Sequence, residues 1–168
     1  MLDLSTELFY EAVELKRKGR YEAAIAIYRG EISKMLKAGD FAEFTTYARA
    51  MAKCYYLKGC PQKALYCYNA IIQLARLTEG VRIMRDAQKD EYGRAQVRGW
   101  IASWAPEIGY ALAYNAGVRD SSYADAIAGK GGDYSSEAYI DEGWRWFLDK
   151  FEEEASIASF LQLVESIL

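Results

Sequence analysis

One segment of the chain occurs twice, and this repeat limits the possible folds more than any other feature. Around Gly19 the sequence reads LFYEAVELKRKGRYEAAIAIY, and around Gly59 it reads ARAMAKCYYLKGCPQKALYCY. Aligning the two glycines pairs Leu8 with Ala48, Ala12 with Ala52, Leu15 with Tyr55, Ala24 with Ala64 and Tyr28 with Tyr68, all at one offset of 40 residues. A fixed period of roughly 20–50 residues marks stacked supersecondary units. In each unit, apolar positions three and four apart precede and follow the glycine, so each reads as two helices joined at a turn. The glycine follows Arg17-Lys18 or Leu57-Lys58, where a helix ends and the backbone needs a left-handed residue. Strand signals are poor: no alternating Val/Ile/Thr runs are bounded by Asn-Gly or Asp-Gly turns. With only Pro61 and Pro106 in the chain, long helices meet no interruption.

These residues resemble the tetratricopeptide repeat over about residues 5–76. Ala12 and Ala52 stand where the first helix of a hairpin must approach the second closely, and Ala24 and Ala64 where the second crosses back. Tyr28 and Tyr68 fill the space beside that crossing. Tyr21 is the aromatic expected after the turn, and Pro61 replaces it at a helix start, where proline is tolerated. The sequence departs from the family in three ways. Its offset of 40 residues exceeds the family's period of about 34, with the extra residues around Lys37-Ala38-Gly39-Asp40. Glu11 and Met51 replace a leucine, and the closing proline is missing. Asp40 followed by Glu43 suggests a capping box restarting the helix.

The resemblance implies an all-α fold in which antiparallel hairpins stack as a short superhelix, with the first helix of each hairpin lining a concave groove. Thr6, Phe9, Val13 and Lys16 would then face inward from the first hairpin, and Thr46, Arg49, Lys53 and Tyr56 from the second. The spacing alone puts each set on one helical face. The implied function is a protein–protein interaction module, an adaptor or regulatory subunit, gripping a peptide or helix of another protein. Arg49 and Lys53 between Phe9 and Tyr56 would suit an acidic or C-terminal segment with an apolar anchor. Relatives that grip chaperone C-termini carry asparagine where Val13 and Lys53 stand here, so their two-carboxylate grip is not expected. The competing reading is that Phe9 and Val13 are core and the cations a solvated face.

The remaining sequence is less regular. Residues 77–98 have the pattern of an amphipathic helix. Trp100, Trp104, Ile108, Leu112 and Ala116 follow helical spacing, and Tyr123-Ala-Asp-Ala126-Ile127 echoes the start of the second helix, so a degenerate third hairpin over 100–130 is possible. From Ser135, Ile140, Trp144, Phe147, Phe151, Ala155 and Ala158 form an apolar stripe opposite Asp141, Glu142, Asp149 and Glu152–Glu154. Such a helix, or helices, would cap the stack, or lie acid-first near the basic groove. The clustered tryptophans read as core before they read as a ligand pocket. Trp144 and Trp146 cannot both face one core, which makes Trp146 a candidate oligomer contact.

Charge is segregated along the chain. Residues 1–76 carry 12 Lys/Arg against 8 Asp/Glu, residues 77–134 carry 7 against 8, and residues 135–168 carry 2 against 8, for a net charge of −3. That balance, with no Arg-rich stripe, argues against RNA or DNA as ligand, and leaves a structural homo-oligomer, joined through hairpin ends or the C-terminal helix, as the main alternative. The N-terminal residues lack a secretory pattern and no apolar run is long enough to span a membrane, so a cytoplasmic protein with reduced Cys54, Cys60 and Cys67 is expected. No histidine exists for a triad or imidazole zinc site, and the cysteines lack paired short spacing. Gly129-Lys130-Gly131-Gly132 lacks the Ser/Thr and the preceding glycine of a phosphate loop. No enzyme activity, metal or cofactor is expected.

Overall fold

The computed structural model describes residues 4–77, 104–131, 137–153 and 155–168. The helix expected over 77–98 lies almost wholly outside them. All regular structure among the described residues is helical. α1 (Leu4–Arg17), α2 (Tyr21–Ala38), α3 (Phe44–Lys58) and α4 (Pro61–Leu77) come first. α5 (Trp104–Asn115), α6 (Ser121–Ala128), α7 (Glu137–Glu152) and α8 (Ile157–Ile167) follow.

The two expected turns have the same hydrogen bonds, shifted by 40 residues. Gly19 and Gly59 hold left-handed φ values of 77° and 96°. Arg20 N donates to Leu15 O at 2.9 Å and Gly19 N to Lys16 O at 3.0 Å, while Cys60 N donates to Tyr55 O at 2.8 Å and Gly59 N to Tyr56 O at 3.1 Å. Carbonyls orphaned at each helix end are satisfied by this reversal. The chain then re-enters a helix at once, and α1 packs on α2, α2 on α3 and α3 on α4. Ala12, Ala24, Ala52 and Ala64 are buried at the crossings, with Tyr28 and Tyr68 beside them.

The restart before α3 differs from expectation. Asp40 accepts a hydrogen bond from Ala42 N at 3.1 Å, a local Asx turn. Glu43 precedes the helix with no side-chain cap. The chain turns through residues 41–43 before the helix forms, so Asp40 is too far upstream to cap it.

Beyond α4 the order of packing changes. Both helices of the suspected third hairpin form, but the principal partner of α5 is α7. A Cβ on Gly109 of α5 would collide with the Tyr139 carbonyl, and one on Gly143 of α7 with the Ala105 carbonyl. These two glycines let antiparallel backbones touch, and both helices pack on α4. α6 lies instead against α3, where the Tyr123 ring meets Tyr56 at 4.8 Å and stacks on Tyr110 at 4.1 Å. Asp120 caps α6 by accepting from Tyr123 N at 3.1 Å.

The C-terminal stripe divides into two helices. Ser156 and Ser159 form a reciprocal cap that ends the continuity of the expected single pattern. As a result Ala158 is exposed, and Phe160, Val164 and Ile167 are the residues α8 buries on α4. Phe160 sits edge-on to Phe41 and Phe44 at 5.0 and 5.4 Å, and Tyr55 Oη donates to Ile167 O at 2.8 Å. Three large side chains buried at about 1.5–3 kcal/mol each hold this helix in place.

Candidate functional site

Glu107, the third residue after Trp104 at the start of α5, points into the interior with a side chain that is 0% exposed. A carboxylate taken out of water must be ion-paired and fully hydrogen-bonded, and the surrounding helices meet that requirement. Arg49 of α3 donates Nη2 to Oε1 at 2.8 Å and Nε to Oε2 at 3.2 Å. Tyr68 of α4 donates Oη to Oε2 at 2.7 Å, and Lys53 Nζ lies 3.6 Å from Oε1. The Tyr68 hydroxyl is held far above the usual tyrosine range, by burial first and the Glu107 charge second; Tyr123 is raised for the same two reasons.

Above this cluster is a cavity of about 270 Å³ lined by Phe9, Thr45, Thr46, Arg49, Ala50, Lys53 and Trp104. Its long wall is α3, whose residues 45, 46, 49, 50 and 53 lie along one face. Phe9 of α1 supplies one side, its ring edge-on to Tyr47 at 5.4 Å. Trp104 of α5 supplies the other, with the Arg49 guanidinium 5.8 Å from its ring centroid. Arg49 and Lys53 keep 29% and 22% of their side-chain surface, so both touch the core below and the cavity above.

Phe9, Thr46, Arg49 and Lys53 therefore come together in one hollow. Thr6 lines a different cavity of about 400 Å³, with Glu31, Lys34, Asp40 and Tyr47. Val13 and Lys16 are half-buried farther along α1. Tyr56 is 1% exposed and closed off by Tyr114 and Tyr123. Trp146 is half-buried against the core, with Lys150 Nζ 5.6 Å from its ring centroid. The acid that meets the basic strip belongs to α5, while Asp149 and Glu152 of α7, and Glu153 just after it, are exposed.

Glu107, Tyr68 and Trp104 are the site residues the sequence reading missed. A signal for the first was present: in WAPEIGYALAY, Glu107 is the single charge within an apolar run. No helix among the described residues is long and apolar enough to cross a membrane, and no described group of His, Cys, Asp and Glu is placed to hold a metal. No protein family, no curated protein and no solved structure matches the chain.

Proposed function

We propose that this chain is a tetratricopeptide-like interaction module that seats a segment of another polypeptide in the hollow between α1 and α3. The observation that supports this reading is the hollow itself: a part-apolar recess two helical turns long, floored by two cations that stay partly exposed. Wide apolar walls with a few fixed polar groups are what a peptide anchor requires. The repeated turns and buried alanines at one offset support the family resemblance. The buried carboxylate favours binding over catalysis, because Arg49, Tyr68 and Lys53 already surround it and it does not line the hollow. The module would act as an adaptor or regulatory subunit.

The test is Thr46→Arg. Thr46 is exposed at the mouth of the hollow and outside the core, so a long side chain there blocks entry while leaving the Glu107 cluster intact. Affinity purification from the native cell should recover a specific partner with the wild type and lose it with the variant, whose circular dichroism spectrum stays unchanged. Equal recovery by both proteins removes the hollow from consideration.

A further inference from the structure

Four chain reversals gather at one end of the molecule, away from the hollow. The turn at Gly19 meets the turn at Gly59 through the ion pair of Glu22 with Lys58. The turn after α5 joins them where Arg119 Nη2 donates to Leu57 O at 3.4 Å. The end of α6 completes the group, since a Cβ on Gly129 would sit 3.4 Å from Arg17 Cγ. Arg17, Lys18, Arg20, Lys58, Arg119 and Lys130 all stand exposed on this edge. Glu14 pairs with Arg17 and Glu22 with Lys58, while Asp120 is engaged as the cap of α6. Lys18, Arg20 and Lys130 have no ion pair among the described residues. Arg20 is the clearest case. It stands at the N-cap of α2 and makes no capping bond, where Ser, Thr, Asp or Asn would stabilise the helix and a cation opposes its dipole. Helix stability does not account for it.

The opposite charge runs along α7. Glu137, Asp141, Glu142, Asp149 and Glu152 are exposed, and their spacing puts them on one side of the helix, opposite the buried Phe147 and Phe151 and interrupted by Arg145 alone. The half-buried Trp144 and Trp146 flank this stripe, one on each side. Gly109 and Gly143 fix α7 against α5, so the stripe cannot turn onto the edge of its own chain. We propose that the basic edge docks the acidic α7 stripe of a second copy of this chain. The two surfaces match in extent as well as in sign. From Glu137 to Glu152 the stripe is ~22 Å long at ~1.5 Å per residue, and the edge spans two helix spacings, about 16–20 Å. Exposed ion pairs alone hold little. Val118, 60% exposed in the turn after α5, and the two tryptophans beside the stripe add apolar contact. Because unlike surfaces meet, the contact is heterologous and copies add head to tail.

Sedimentation velocity of the full chain at rising concentration tests this. At low salt the average mass should climb above that of one chain. It should return to one chain as ionic strength rises from about 0.01 M to about 1 M, which shortens the screening length from ~30 Å to ~3 Å. Lys18→Glu/Arg20→Glu and Asp149→Lys/Glu152→Lys should each associate at least about tenfold more weakly, because like charges then face one another. All four side chains are exposed, so both variants should keep the wild-type circular dichroism spectrum. Mixed together, the two variants should associate again, since the unaltered stripe of the first meets the unaltered edge of the second. A wild type that stays one chain in mass at low salt overturns the proposal, as does association that Lys18→Glu/Arg20→Glu leaves unchanged. If each variant loses association and the mixture does not regain it, the α7 stripe is not what the edge binds. A monomeric wild type that binds poly-glutamate, with Lys18→Glu/Arg20→Glu abolishing it, assigns the edge to a foreign acidic protein and overturns the second copy.

Discussion

Glu107→Ala should be among the most damaging single substitutions in this chain. The native carboxylate is fully buried and accepts from Arg49 at 2.8 and 3.2 Å and from Tyr68 at 2.7 Å. Removing it leaves the buried Tyr68 hydroxyl without its acceptor, at about 1–3 kcal/mol. It also strands Arg49 and Lys53, at roughly 3–5 kcal/mol if both were fully buried. Their 29% and 22% side-chain exposure lets water recover part of that. A total of about 3–5 kcal/mol follows, a large share of the ~5–15 kcal/mol that holds a domain together. At about 2–4 °C per kcal/mol for a chain of this size, the Tm falls by roughly 6–20 °C. Urea unfolding followed by far-UV circular dichroism measures it directly. The triple change Arg49→Met, Tyr68→Phe, Glu107→Leu removes both sides of the network. It should return to within about 1 kcal/mol of wild type, or exceed it, because burying the ions is itself costly. If Glu107→Ala loses less than about 1 kcal/mol, or the triple variant is no more stable than the single one, the network is not what fastens α5 to α3 and α4.

Gly109→Ala and Gly143→Ala each drive a Cβ into the opposing backbone, so calorimetry should show a loss of about 1–3 kcal/mol or more. Gly30→Ala, with open space at its Cβ on helix α2, should gain up to about 1 kcal/mol. Stability should also fall at high pH. Burial raises Cys54, Tyr55 and Tyr56 to about 12 and Cys67, Tyr28, Tyr68 and Tyr123 well above their ordinary values. The unfolded chain therefore loses these protons first. The stability these groups confer is intact below about pH 9 and declines above it, by about 1.4 kcal/mol per pH unit for each group as its unfolded form ionises. Lys16, shifted the other way, offsets one of them. Urea midpoints across pH 8–11 check this, and a flat profile refutes it. Of the three thiols, Cys54 and Cys67 are buried and Cys60 is half-buried. A colourimetric disulfide reagent should therefore titrate one thiol in the native protein and three in denaturant.

The parts of the fold legible in the sequence are those fixed by local chemistry. Gly19 and Gly59 follow a helix and carry the positive φ that other residues resist, and Ala12, Ala24, Tyr28 and their counterparts Ala52, Ala64 and Tyr68 are buried in both hairpins. The pairing of α5 with α7 was not legible, because it depends on Gly109 and Gly143, which read as ordinary helix-weakening residues until the facing carbonyl is known. Tyr56 shows the same limit. Its spacing put it on the face shared with Arg49 and Lys53, but α6, which periodicity cannot place, covers that turn with Tyr123.

The basic strip on α3 shows how charges legible in the sequence take their meaning from a residue far away in it. In the sequence Arg49 and Lys53 read as cations suited to an acid of a partner, and the acid that meets them among the described residues is Glu107, 58 positions from Arg49. A single charge in an apolar helix has two possible fates: exposure, or burial against opposite charge. With Arg49 and Lys53 on one helix and no comparable cation pair on an inward face elsewhere in the repeat, the inventory alone permitted their match to Glu107. What the inventory could not give is the geometry of that match, in which Arg49 meets both carboxylate oxygens, Tyr68 donates to one of them at 2.7 Å and Lys53 completes the ion pairing from 3.6 Å.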